Sequence, residues 1–128
     1  MIDGVRVLVA DDNEGIRSTT SMILKSVGCI VVEAEDGQAA IEELMSQPVD
    51  VAVLDVRMPK RDGVSVIENL HPEPPPPGVV MASAYDFDNE LRARLGTRVF
   101  RYLRKPVPPK DLIDAVGEAA EHIRALGA

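Results

Sequence analysis

The chain contains 128 residues, of which 14 are basic and 21 acidic, so its formal net charge is -7. This length suits one domain, and the negative charge opposes nonspecific binding to nucleic acid phosphates. The single cysteine, Cys29, excludes an internal disulfide, and no apolar stretch approaches the roughly 20 residues that span a bilayer. We therefore expect one cytoplasmic domain over residues 1–128, with no direct contact to nucleic acid or membrane.

Short apolar runs alternate with segments of helical spacing along the chain. This alternation predicts successive strand-helix-strand units and a parallel sheet. The five predicted strands cover residues 5–10, 29–34, 49–54, 79–82 and 99–104. Cys29 lies in the second of these runs, where we expect it to be buried.

Five helices are predicted to follow these strands, each beginning at a residue that favours a helix N-terminus. The expected caps are Asn13, Asp36, Asp62 and either Asp86 or Asp88, and Pro108 with Pro109 precedes the last helix. In the fourth helix the apolar residues Phe87, Leu91 and Leu95 recur every four positions, and Gly96 ends it.

A proline-rich segment at residues 72–78 separates the third helix from the fourth strand. Proline runs favour stiff, extended polyproline II. The segment is either a rigid connector or a ligand for a proline-recognising domain. We favour the connector, because short proline motifs often match by chance.

Polar side chains follow four of the predicted strands. Asp11 and Asp12 follow the first strand, Asp55 the third, Ser83 the fourth and Lys105 the fifth. Each alone has an ordinary interpretation, such as a turn, a helix cap or a solvated lysine. In a parallel sheet they gather at the carboxyl edge, where open α/β proteins bind ligands, and this coincidence favours a functional pocket.

The chemistry expected of this pocket is phosphoryl transfer with a metal ion. Neighbouring carboxylates repel by about 4 kcal/mol per pair at an effective dielectric constant of 20, so they need a counter-charge. Mg²⁺ fits, because it prefers oxygen ligands and joins carboxylates to phosphate oxygens. An aspartate can then attack a phosphoryl donor, while Lys105 and Ser83 supply donors to its oxygens.

Four motifs, at residues 7–13, 55–63, 81–84 and 102–106, closely resemble those of response-regulator receiver domains of two-component signalling. The resemblance covers nearly all of the chain, which is similar in size to single-domain chemotaxis regulators. It implies a flavodoxin-like, doubly wound (βα)5 fold whose five parallel strands lie in the order 2-1-3-4-5.

The resemblance also implies roles for the pocket residues. Asp55 would accept a phosphoryl group from the phosphohistidine of a histidine kinase. Mg²⁺ would be held by Asp11, Asp12, Asp55 and the backbone carbonyl of Arg57, and Lys105 would contact the phosphoryl group. Such a domain catalyses only its own phosphorylation and dephosphorylation, so we do not expect an enzyme.

A switch pair is implied as well. Ser83 would move towards the phosphoryl group while the ring of Tyr102 turns inward. This would change the face built from the fourth helix, fifth strand and fifth helix, where a downstream protein binds. The implied upstream partner is a sensor histidine kinase or a phosphotransfer protein, and a homodimer is a further candidate.

Two features depart from the family pattern. Arg98-Val99 stands where the family often has Gly-Ala, and the proline-rich segment replaces a more ordinary lead into the fourth strand. The arginines expected on or near the output face are Arg92, Arg94, Arg98, Arg101 and Arg104. They form either a solvated charged surface or a site for an acidic partner. His71 and His122 match no motif and are expected at the surface.

Two other functions are weighed against the switch. A Mg²⁺-dependent aspartyl phosphohydrolase of the haloacid-dehalogenase type needs a second aspartate two residues after the nucleophile, and that position is Arg57. A phosphorylation-independent interaction module would have a degenerate pocket, whereas every pocket residue is present here. Both alternatives are weaker than the switch.

Overall fold

A parallel sheet of five strands, in the order β2-β1-β3-β4-β5, forms the centre of the molecule. The computed structural model describes residues 2–70 and 76–127. The strands are β1 Arg6–Ala10, β2 Ile30–Ala34, β3 Val51–Asp55, β4 Gly78–Ser83 and β5 Arg101–Arg104. The helices are α1 Glu14–Ser26, α2 Gly37–Ser46, α3 Gly63–Glu68, α4 Asn89–Leu95 and α5 Pro109–Gly127. The predicted fold class and strand order are confirmed.

Two apolar layers cover the two faces of the sheet. Val7 and Val9 of β1 point into a layer shared with α1 and α5, and Leu8 and Ala10 into a layer shared with α2, α3 and α4. All six residues of β4 are buried, as expected for a strand covered on both sides. Cys29 is buried as predicted, and burial raises the pKa of its thiol.

The predicted helix caps are present in the structure. Asn13, Asp36, Asp62 and Asp88 each accept a hydrogen bond from a backbone N–H in the first turn of their helix. Because Asp88 rather than Asp86 caps α4, the helix begins at Asn89. Phe87, the first of the three apolar residues that recur every four positions, was predicted to lie in this helix. That placement was wrong, because Phe87 precedes the helix.

Some predicted boundaries change near the ends of elements. Gly96 caps α4 with φ of 58°, a backbone region that favours glycine, and it begins one turn of 3-10 helix that ends at Arg98. This turn delays the start of β5 to Arg101, two residues later than predicted. His122 is exposed, as expected, and its ring lies 5.3 Å from that of Phe100.

Residues 71–75 lie outside the described part of the chain, and with them His71 and most of the predicted polyproline segment. Pro76 and Pro77 lead directly into β4. None of the helices in the described residues combines the length and apolar composition needed to cross a membrane.

Strand register positions the pocket residues. Ala10 pairs with Leu54, Asp55 with Ala82, and Ser83 with Arg104, so the carboxyl ends of four strands meet at one edge. The residues that follow these ends are therefore neighbours in space. The connections after the strands then decide how each side chain is presented.

The loop between β3 and α3 packs tightly against the start of α2. Lys60 in this loop has φ of 67°, and its ammonium lies 3.5 Å from the carboxylate of Asp36. A hydrogen bond from Ala39 and the charge of Lys60 lower the pKa of Asp36. A Cβ atom added to Gly37 would lie 1.8 Å from the carbonyl oxygen of Arg61, so only glycine allows this close approach.

We predict that Gly37→Ala will lower the free energy of unfolding by about 1–3 kcal/mol, because the new methyl group overpacks this contact. Gly15→Ala is the matched control. A Cβ atom added to Gly15 would lie 3.4 Å from the nearest atom. Because alanine stabilises a helix relative to glycine by up to about 1 kcal/mol, this variant should not be destabilised. Urea titrations of both variants would measure the difference, and equal effects would contradict the role of Gly37.

Candidate functional site

Three carboxylates converge at the carboxyl edge of the sheet. Asp11 and Asp12 follow β1, and Asp55 ends β3. Each offers an oxygen, and these three oxygens lie within 4.8 Å of one another. Asp11 is buried, Asp55 partly buried and Asp12 exposed. The structure thus brings together the three acidic residues that the sequence singled out.

Lys105, the residue after β5, reaches into this cluster. Its ammonium lies 2.6 Å from one oxygen of Asp11 and 3.2 Å from one oxygen of Asp55. Burial acts to lower the pKa of Lys105, but the hydrogen bond and charge of Asp11 and the charge of Asp55 outweigh it, and the pKa is raised. Lys105 is therefore a cation at neutral pH. Its bond to Pro106 is cis.

Negative charge at the site is incompletely balanced. Burial raises the pKa of Asp55, and the charge of Asp11 raises it further, although Lys105 and a backbone N–H hydrogen bond from Arg57 oppose this. The net shift is upward, so the carboxylate form of Asp55 is less stable than in water. Hard oxygen donors carrying excess negative charge suit a divalent cation such as Mg²⁺.

The backbone around Asp55 is held by a close approach of chain segments. The N–H of Gly63 donates to the carbonyl of Val56 at 2.9 Å. A Cβ atom added to Gly63 would lie 2.3 Å from the carbonyl oxygen of Asp55. The Asp62-Gly63 pair, which lies at the predicted start of a helix and at the end of the 55–63 motif, therefore also closes the loop that carries Arg57.

Ser83, the last residue of β4, is buried and lies on the strand next to Asp55. Its hydroxyl accepts a hydrogen bond of 3.0 Å from the N–H of Tyr85. The hydroxyl hydrogen remains available for another acceptor, because a serine oxygen both donates and accepts.

Tyr102 lies on β5 within an aromatic and cationic cluster. Its ring packs edge-on against Phe87 at 4.8 Å, and the guanidinium of Arg92 lies 4.3 Å above it. Burial raises the pKa of Tyr102, although Arg92 opposes the shift. Within the described residues, its buried hydroxyl has no hydrogen-bond partner.

Arg57 and Tyr85 meet at the rim of the site. The guanidinium of Arg57 lies 4.4 Å from the centre of the Tyr85 ring, although both side chains are exposed. No feature of the sequence indicated this stacking. Such a cation-π contact joins the loops after β3 and β4.

A cavity of about 460 Å³ lies beside the carboxylates. Asp11, Asp55 and Lys105 line one part of it, and residues of α1, of the strands and of the connection between β5 and α5, most of them apolar, line other parts. Nothing in the sequence indicated this cavity. Ile16 of α1 is 40% exposed and lines it.

Three of the five arginines expected on or near the output face are paired within the chain. The pairs are Arg94 with Glu68, Arg101 with Glu118 and Arg104 with Asp86. Arg92 stacks on Tyr102 instead. These contacts favour the solvated charged surface over a cationic site for an acidic partner.

Comparison with known proteins places this geometry in a family. The sequence-family model described as the response regulator receiver domain matches residues 7–117 of this chain. The chain belongs to this family. As a receiver domain of two-component signalling, it shares the five-stranded parallel fold of a receiver domain protein (CheY-like) from Methanospirillum hungatei, with a TM-score of 0.89 and 25% identity. That likeness covers 98% of this receiver and all of the other chain.

Relatives of this receiver differ in length. A protein-glutamate methylesterase/protein-glutamine glutaminase of Rhodospirillum centenum is 40% identical over 98% of this chain but only 34% of its own length. The transcriptional regulatory protein PdtaR of Mycobacterium tuberculosis is 36% identical over 96% of this chain and 60% of its own. Protein PilG of Pseudomonas aeruginosa is 34% identical over 89% of this chain and 86% of its own length. The receiver thus spans about a third of the first relative and well over half of the other two.

We predict that Asp55→Asn will raise the free energy of unfolding at neutral pH. The raised pKa means that the charge on Asp55 destabilises the folded protein wherever Asp55 is ionised in both states. This cost disappears as the pH falls through the folded-state pKa towards the ordinary value of 3.8, because the folded protein takes up the proton first. The advantage of the asparagine variant should therefore shrink in acid.

Denaturant titrations at neutral and acidic pH would measure this effect. Asp114→Asn, which removes an exposed carboxylate of α5, controls for the general benefit of lowering a net charge of -7. An Asp55→Asn variant no more stable than Asp114→Asn at neutral pH would show that the pocket carries no such cost.

Proposed function

We propose that this receiver is a phosphorylation-dependent switch in which Asp55 accepts a phosphoryl group from the phosphohistidine of a histidine kinase or phosphotransfer protein. The observation that carries the proposal is the convergence of the carboxylates of Asp11, Asp12 and Asp55, two of which, Asp11 and Asp55, contact the ammonium of Lys105. Membership of the receiver family supports it.

Among the three carboxylates, Asp55 is the best placed nucleophile. Both oxygens of Asp11 are already engaged, one by the N–H of Asn13 at 2.9 Å and the other by Lys105 at 2.6 Å. Asp12 is exposed. Asp55 has longer contacts, 3.3 Å from the N–H of Arg57 and 3.2 Å from Lys105. An oxygen of Asp55 is therefore the freest to form a new bond in a partly buried position.

The proposed transfer is an in-line displacement at phosphorus. An oxygen of Asp55 forms a bond to phosphorus while the bond from phosphorus to the histidine nitrogen breaks, and the leaving imidazole keeps that electron pair. Lys105 stays between Asp11 and Asp55 as a cation and can donate to a phosphoryl oxygen. Three anionic carboxylates need this charge, because they would otherwise repel the incoming phosphoryl group.

Mg²⁺ is the proposed cofactor. Asp11, Asp12, Asp55 and the backbone carbonyl of Arg57 would hold it, and the fit rests on their oxygen donors and on the excess of three carboxylates over one ammonium at the site. When bound, the ion would neutralise charge on the phosphoryl oxygens. The phosphohydrolase alternative gains no support, because Arg57 stacks on Tyr85 where that chemistry needs an acid.

The signal would leave through α4, β5 and α5. A phosphoryl group adds a charge of about -1.5 to -2 next to Ser83, whose hydroxyl can donate to it. The proposed movement of the Tyr102 side chain is supported by its buried hydroxyl, which has no hydrogen-bond partner within the described residues. A new position that satisfied this hydroxyl would gain up to about 1–3 kcal/mol. A downstream protein would bind the face that results.

Phosphorylation can be tested with acetyl phosphate and Mg²⁺ in place of a kinase. We expect intact mass spectrometry to detect one added phosphoryl group, stable in acid and labile in base, and we expect Asp55→Asn to abolish it. Asp50→Asn, at the opposite end of β3, should be labelled normally. Undiminished labelling of Asp55→Asn would refute the assignment.

The lifetime of the phosphoryl group should depend on the rim of the site. Arg57 and Tyr85 stack at the rim of the site. In receiver domains these two positions flank the path of the water that attacks the phosphoryl group, so the bulky pair should hinder hydrolysis. We expect Arg57→Asn combined with Tyr85→Ser to speed phosphate loss severalfold without changing the modified residue. Decay would be followed after removal of the donor.

Arg98→Asn, which removes an exposed arginine far from this stack in sequence, is the control for charge. Its decay rate should equal that of the unmodified protein. Equal rates in the double variant and the unmodified protein would show that the stacked pair does not protect the site.

A further inference from the structure

Arg17, in the first turns of α1, extends its side chain back to the acidic loop after β1. One terminal nitrogen of its guanidinium donates to the backbone carbonyl of Asp11 at 2.9 Å. Its Nε donates to the carboxylate of Glu33 on β2 at 3.2 Å. The Arg17 side chain is only 15% exposed. A planar guanidinium can serve both acceptors at once, which a lysine ammonium does less well.

Arg17 closes a ring of hydrogen bonds around the loop. The N–H of Asn13 donates to the Asp11 carboxylate at 2.9 Å, and the N–H of Arg17 donates to the carbonyl of Asn13 at 2.9 Å. The guanidinium then returns to the carbonyl of Asp11. The N–H of Asp11 donates to the backbone carbonyl of Ala34 at 3.1 Å. Every backbone and side-chain polar group of Asp11 is thus engaged.

The orientation of Asp12 follows from this ring. The carbonyl that Arg17 holds belongs to the peptide unit between Asp11 and Asp12, and a peptide unit is planar. Fixing the carbonyl therefore fixes the direction in which the chain enters Asp12. The Asp12 carboxylate is exposed and makes no hydrogen bond within the described residues, so its own contacts do not orient it.

We propose that Arg17 is a positioning residue for the magnesium site: it fixes the peptide between Asp11 and Asp12 and so directs the Asp12 carboxylate towards the metal. This inference rests on the proposed function, because it assumes that these carboxylates bind Mg²⁺. Arg17 itself touches neither the metal nor the phosphoryl group.

Positioning and simple electrostatics predict opposite effects of removing Arg17. If Arg17 acted only as a nearby positive charge, its loss would strengthen binding of a cation. If it positions Asp12, its loss should weaken binding, as the loss of residues that orient metal ligands commonly does by about 10-fold or more. The sign of the change in Mg²⁺ affinity therefore separates the two roles.

The test is calorimetric titration of Mg²⁺ into the unphosphorylated protein and its variants. We expect Arg17→Met to raise the Kd for Mg²⁺ about 10-fold and Arg17→Lys to raise it less. Lys25→Met, which removes an exposed positive charge from the same helix, should leave the Kd unchanged. With acetyl phosphate, Arg17→Met should need a higher Mg²⁺ concentration to reach half of its maximal phosphorylation rate. Its rate at saturating Mg²⁺ should equal that of the unmodified protein.

Melting curves would establish that each variant is folded at the assay temperature. A folded Arg17→Met with an unchanged or lower Kd would overturn the positioning role alone, because the unmodified protein would still bind Mg²⁺. If Arg17→Met does not fold, an unchanged Kd in Arg17→Lys would overturn it. Absence of Mg²⁺ binding in the unmodified protein would instead overturn the metal site itself, and this inference with it.

Discussion

The balance of charge around Lys105 is the constraint on which the rest of the site depends. Three carboxylates and one ammonium leave two negative charges at the edge of the sheet. Asp11 takes the shorter contact with Lys105, while burial, with a further contribution from the charge of Asp11, raises the pKa of Asp55 against the opposing charge of Lys105. The proposed Mg²⁺ would offset this excess, and the proposed nucleophile is the partly buried carboxylate of the cluster.

The apolar layers make this unfavourable arrangement tolerable. The central strands β1, β3 and β4 are largely buried on both faces and are held in register with their neighbours, so the edge cannot relax by moving these strands apart. Contacts behind the site then hold the loops. Asp36 and Lys60 hold the loop after β3, and Arg17 holds the loop after β1. Stability supplied by the core thus preserves a strained electrostatic arrangement at the edge.

The fold and the gathering of the site could be predicted from sequence because both follow from short-range rules. Apolar runs mark buried strands, and a polar residue after each run must lie at the sheet edge. The capping residue of α4 could not be predicted, since Asp86 and Asp88 are chemically equivalent and only tertiary contacts, such as the pairing of Asp86 with Arg104 and the packing of Phe87 on Tyr102, distinguish them. The stacking of Arg57 on Tyr85 depends on side-chain conformations across two loops, which no spacing in the sequence encodes.

The paired arginines near α4, β5 and α5 have a consequence for partner choice. A partner carboxylate that captured Arg101 would strand Glu118, so trading one exposed ion pair for another would yield little binding energy. Affinity at this face would then vary only weakly with ionic strength. Surface shape, rather than charge, would distinguish this receiver from others of the same fold. In a cell with many receiver domains, a partner would then select this one by the shape of its surface, and that steric fit would keep separate signalling pathways from activating one another.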